Sequence, residues 1–202
     1  LGAPTSVDAT STGMKGRNRE ITVEIGGQKF PAQASCSGPD AQTGPLGSVI
    51  RYQFPSSGGE QVSLTWWDGC MEPPVPSVLG DVDLGKGGNL YIGDKGAILT
   101  GGYGTHPRIF PKSRRREYEP PPKKLPRVGV NHQQDWIRAC KGKRTACSNF
   151  DYAVPLTEMV LLGNVALRAG ERIEWDSEAM KVTNVKDANR YVRDSYRKGW
   201  SL

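Results

Sequence analysis

Two histidines, His106 and His132, four cysteines and scattered carboxylates are the residues here that could do chemistry. A zinc site needs four Cys or His ligands at set spacings, and no Cys-x-x-Cys pair occurs among Cys36, Cys70, Cys140 and Cys147. Those cysteines are therefore expected to be buried free thiols. Nucleophilic catalysis needs a base beside a serine or cysteine, yet there is no Gly-x-Ser-x-Gly and neither histidine has a recognisable partner. Carboxylate pairs such as Asp68/Glu72 and Asp176/Glu178 specify nothing alone. Gly85-Lys86-Gly87-Gly88 and Gly101-Gly102-Tyr103-Gly104 resemble phosphate loops only superficially. A dinucleotide loop leads from a strand into a helix whose N-terminus faces the pyrophosphate, and neither segment opens a helix. The chain holds no self-sufficient catalytic constellation.

The elements that must position these residues are mixed. With 202 residues, 24% of them charged and 36% hydrophobic, one soluble domain spanning residues 1–202 is expected. No apolar run approaches the roughly 20 residues that cross a bilayer, so no membrane partner is expected. Ile21, Val23 and Ile25 alternate as a strand does. Ser48–Phe54 and Gln61–Trp67 read as a hairpin, and Asn89–Ile92 and Ala97–Thr100 as a second one around Gly93-Asp94-Lys95-Gly96. Trp66 and Trp67 are adjacent on a strand and must point to opposite faces, which predicts that both faces of the sheet are covered, one by helices and one by a second subunit or domain.

The last third is helical. Asn131 caps a helix with Gln134 three residues on, and Gly142 closes it. A second helix is expected from near Pro155 to Gly170, with Gly163 permitting close approach of another element. A strand follows over Arg172–Trp175, then a final helix capped near Asn184 and bearing Ala188, Tyr191, Val192 and Tyr196. The charge of +6 is concentrated in Lys112–Arg127, seven basic residues against two acidic ones. Pro120-Pro121-Pro122 and Pro126 make this a solvated loop without helix or central strand, and no nucleic-acid partner is expected. The opening Leu1-Gly2-Ala3-Pro4-Thr5 reads as a cut inside a longer protein.

The segment Asn131–Gly142 resembles a helix and Gly-Lys turn of the Gfo/Idh/MocA oxidoreductases, the glucose–fructose oxidoreductase and inositol dehydrogenase family. Tyr152–Ala166, Ile173–Asp176, Met180–Asn184 and Tyr196–Trp200 resemble the elements that follow in that family, and Gly93–Leu99 resembles a hairpin of its bacterial-type branch. The resemblance implies an α+β C-terminal domain: an open, mainly antiparallel sheet with helices on one face, the other face used for oligomerisation. It also implies a missing N-terminal Rossmann domain as partner. NAD or NADP would belong to the full-length protein, with no cofactor bound by this chain alone. The substrate would be a sugar, cyclitol or glycoside.

A sugar cleft needs aromatic rings and fixed hydrogen-bonding groups near strand ends and helix starts. Trp67, Asp68, Tyr103, His106, Arg108 and His132 are the substrate-binding candidates, and Asp135 is set aside as a helix-dipole residue. No residue here is assigned to catalysis. One other class open to this sequence is a non-catalytic carbohydrate-binding or assembly domain sharing only the fold; a third, nucleic-acid binding through Lys112–Arg127, would show as strongly salt-dependent binding to any polyanion.

Overall fold

In a computed structural model, residues 2–11, 20–25, 28–33, 44–45, 47–55, 58–69, 71–85, 87–193 and 195–200 are described. The strands are β1 (Ser6–Ser11), β2 (Glu20–Ile25), β3 (Gln28–Gln33), β4 (Ser48–Phe54), β5 (Val62–Asp68), β6 (Asn89–Gly93), β7 (Gly96–Thr100), β8 (Arg108–Phe110), β9 (Ile173–Asp176) and β10 (Lys181–Val182). The helices are α1 (Lys112–Glu117), α2 (His132–Cys140) and α3 (Phe150–Ala169). Among the described residues every strand pairing is antiparallel, and the class is α+β as expected. The chain forms two compact units, residues 1–72 with 130–202, and residues 73–129.

The larger unit is built on a five-stranded sheet of order β10-β9-β1-β4-β5, and β2 and β3 pair as a separate hairpin. Alternation along β4 sends Ile50, Tyr52 and Phe54 to one face, where all three are buried beneath α3. They meet Leu162, Val165 and Ala166 of α3, with Val7 from β1 and Ile173 and Trp175 from β9. Burying each such large side chain contributes about 1.5–3 kcal/mol. Gly163 is what lets α3 lie so close: a Cβ there would overlap Tyr52 Oη and come within 2.8 Å of Ile50 Cδ1. The opposite face is polar near its centre, with Arg51 Nη1 bridging Asp8 Oδ2 and Thr10 Oγ1 at 3.4 Å each, and Ser63 Oγ donating to Gln53 Oε1 at 2.8 Å.

Several expectations are corrected. α3 begins at Phe150, five residues before Pro155, because Asn149 Oδ1 accepts the Tyr152 N–H at 3.2 Å and caps it there. Pro155 therefore sits inside the helix. At 20 residues and mean hydropathy 1.2, α3 is also long and apolar enough to span a bilayer by length and composition, contrary to the reading above. The final helix is only a 3₁₀ turn over Lys186–Tyr191. Asn184, the expected cap, instead clamps β9, accepting the Glu174 N–H at 2.7 Å and donating to the Arg172 carbonyl at 2.9 Å. Cys140 and Cys147 are exposed rather than buried, while Cys36 and Cys70 lie outside the described residues.

The smaller unit is a three-stranded sheet of order β6-β7-β8. Its hairpin turns at Asp94-Lys95, and Gly96 takes φ 139° where a Cβ would run into the Phe110 carbonyl. One face buries Leu99, Ala97 and Phe110 against Leu79. The basic segment is not wholly irregular: Lys112–Glu117 forms α1, since the helix-breaking prolines begin only at Pro120. Arg114 Nη1 donates to the Lys95 carbonyl at 2.8 Å and ties α1 to the hairpin.

Candidate functional site

In the smaller unit the short loop between β7 and β8 carries Tyr103 and His106 and leads directly into Arg108. Gly101 closes this turn, its N–H donating to the Thr105 carbonyl at 2.8 Å, and Thr105 Oγ1 donates to the Gly102 carbonyl at 3.0 Å. Inside it Tyr103 has φ 58° and ψ 21°, and His106 has φ 50°. Residues with a Cβ rarely adopt this left-handed region, and an aromatic one is a genuine outlier. The conformation leaves the Tyr103 ring wholly in solvent, at 106% relative exposure. A loop that holds an unfavourable backbone in order to project an aromatic ring has the features of a ligand contact. His106 is exposed beside it, and Arg108 starts β8 with its guanidinium 5.9 Å from the Phe110 ring centroid. The loop can offer a stacking ring, an imidazole and a cation to a polyhydroxylated ligand.

The same unit carries a second feature that the sequence reading did not single out. The register pairs Tyr91 with Ile98 and Ile98 with Ile109, so these three form a row on the face turned away from Leu99 and Phe110. Tyr91 is 59% exposed and Ile98 41%. With Arg114, Glu117, Tyr118 and Glu119 they border a shallow groove of about 590 Å³. The signal was present in the alternation of Asn89–Gly93, but the adjacent Ile92 hid it, since two apolar neighbours do not say which face is open.

The other candidates lie in the larger unit. Trp67 is half-buried on β5 opposite the buried Val49, while Trp66, opposite Ile50, is 54% exposed because β5 is the edge of the sheet. Asp68 turns to its own loop, Oδ1 accepting the Gly69 N–H at 2.7 Å. His132 is exposed on the first turn of α2, whose cap is Asn131 Oδ1 accepting the Gln134 N–H at 2.9 Å, as its sequence predicts.

Asp135 is more than a dipole residue. It is buried, pairs with Arg144, and its Oδ2 accepts the Cys147 N–H at 2.9 Å. One carboxylate thereby fixes the chain between α2 and α3. Among the described residues no three His, Cys, Asp or Glu side chains come together as a metal-holding group. No family model, curated protein or solved structure matches this chain.

Proposed function

We propose that this chain is the substrate-side and subunit-pairing domain of a nicotinamide-dependent oxidoreductase acting on a sugar, cyclitol or glycoside, inactive without a nucleotide-binding domain. The observation that carries the reading is the bare N-terminal half of α3. Its core stripe runs on past the sheet through Leu156 and Tyr152, while Phe150, Val154 and Leu161 lie on another side; these five are 51–83% exposed. A helix segment apolar on several sides is stable only when another body covers it. From Phe150 to Leu161 it spans about 18 Å, at 1.5 Å per residue, too short for a 30 Å bilayer core once the C-terminal half is fixed in the fold. A docked protein domain fits this surface. The resemblance to the Gfo/Idh/MocA family supplies the identity of that domain and of the cofactor, NAD or NADP, that it would bring.

The loop of Tyr103, His106 and Arg108 supplies the sugar-facing groups in this reading. Trp66 and Trp67, on opposite faces of an edge strand, supply apolar surface for a second subunit. The test is titration of the chain with glucose, myo-inositol and methyl glucoside, and separately with NAD and NADP. Sugar binding that is lost in Tyr103→Ala, with no nicotinamide binding, is expected. Tight nicotinamide binding, or steady substrate oxidation by these 202 residues unaided, refutes the proposal.

A further inference from the structure

We infer that the groove on the open face of β6-β7-β8 is a second carbohydrate site, one that takes a neutral oligosaccharide. The inference is independent of the nicotinamide reading and of the Tyr103 loop. Its first support is shape. Tyr91, Ile98 and Ile109 sit side by side across three strands, a row about 10 Å wide at 4.8 Å per strand spacing. Pyranose rings present apolar C–H faces that stack on such a surface, with aromatic rings giving the directional contact. Tyr91 and Tyr118 border the groove, 59% and 52% exposed, so both rings are free to receive a ligand.

Charge decides the class of ligand. Between Pro73 and Gly129 the sequence has ten lysines and arginines against five acids. The groove reverses this bias: Asp94, Glu117 and Glu119 line it, against only Lys95 and Arg114. Three of the unit's five acids are thus gathered where the apolar row lies, and Arg114 is partly engaged with the Lys95 carbonyl. A polyanion would be repelled here and drawn elsewhere on the unit. Carboxylates beside aromatic rings are the groups that accept hydrogen bonds from sugar hydroxyls.

The probe is cellohexaose, whose flat ribbon exposes its C–H faces, titrated against the chain beside hexagalacturonate as the anionic counterpart. Cellohexaose is expected to bind, with little change between low and moderate salt, and to lose about tenfold in affinity in Tyr91→Ala and in Tyr118→Ala. Tyr91→Phe keeps the ring and should keep binding, which separates loss of stacking from loss of the strand. In a Tyr103→Ala background, which removes the loop as a second place for a glucoside to bind, the same losses in Tyr91→Ala and Tyr118→Ala are expected. The inference is overturned if cellohexaose does not bind at about 10 mM, if hexagalacturonate binds more tightly with a salt-dependent constant, or if Tyr91→Ala and Tyr118→Ala bind cellohexaose as the parent does.

Discussion

Gly163→Ala tests the packing that the whole larger unit rests on. In an exposed helix this change stabilises by about 1 kcal/mol, because glycine is the poorer helix former. Here the added methyl would overlap Tyr52 Oη and stand 2.8 Å from Ile50 Cδ1 and 3.4 Å from Ile50 Cγ2. Neither neighbour can yield freely, since β4 is flanked by β1 and β5 and both side chains are buried. Overpacking of this kind costs about 1–3 kcal/mol. Because the overlap involves two side chains at once, the upper part of that range applies, and a net loss of about 1–2 kcal/mol is expected after the helix gain. Urea unfolding followed by tryptophan fluorescence measures it, with the slope unchanged. Tyr52→Phe removes the oxygen that the methyl meets, so the double variant should recover about 1 kcal/mol beyond additivity. Gly102→Ala, with nothing within 4 Å of its added Cβ, is the control and should change little. If Gly163→Ala is as stable as the parent, or the double variant is strictly additive, α3 does not lie on β4 as described.

Burial raises the Tyr52 phenol to about 12 from 10.0, so its stabilising contribution is complete below pH 10 and is lost as pH climbs towards 12. The loss approaches 2–3 kcal/mol, at about 1.36 kcal/mol per pH unit, and stability measured from pH 9 to 12 should flatten in Tyr52→Phe relative to the parent. Asp135→Ala removes the buried carboxylate that pairs with Arg144 and accepts the Cys147 N–H, and should cost about 2–4 kcal/mol in thermal or urea unfolding. Hydrogen exchange should place the first loosening between α2 and α3. Tyr103→Gly relieves a left-handed aromatic residue, so stability should hold or rise by up to about 1 kcal/mol while monosaccharide binding disappears. A stability loss there would mean that the ring packs rather than projects.

Local chemistry was legible in the sequence because it is written in neighbouring residues. Strand β4 and the two hairpins follow from alternation and glycine turns, and α2 from Asn131 with Gln134 three residues on. The close approach at Gly163 was legible too, since glycine within an apolar helical stripe has few other uses. What failed locally failed through competition. Asn149, seven residues beyond Gly142 in what looked like a loop, started α3 early, and the side chain of Asn184 was taken by β9 before it could cap a helix.

Tertiary structure alone decided the rest. Asp135 acquires its role from Arg144 and Cys147, nine and twelve residues away, and nothing in its immediate surroundings indicates that a returning chain will bury it. The groove of Tyr91 and Tyr118 exists because β7 aligns Ile98 between Tyr91 and Ile109 and because α1 is tied to the hairpin. Periodicity can say that a strand has two faces, but which one stays open depends on what else in the chain arrives to cover it. That choice is made by the sum of distant contacts, and no window of sequence contains it.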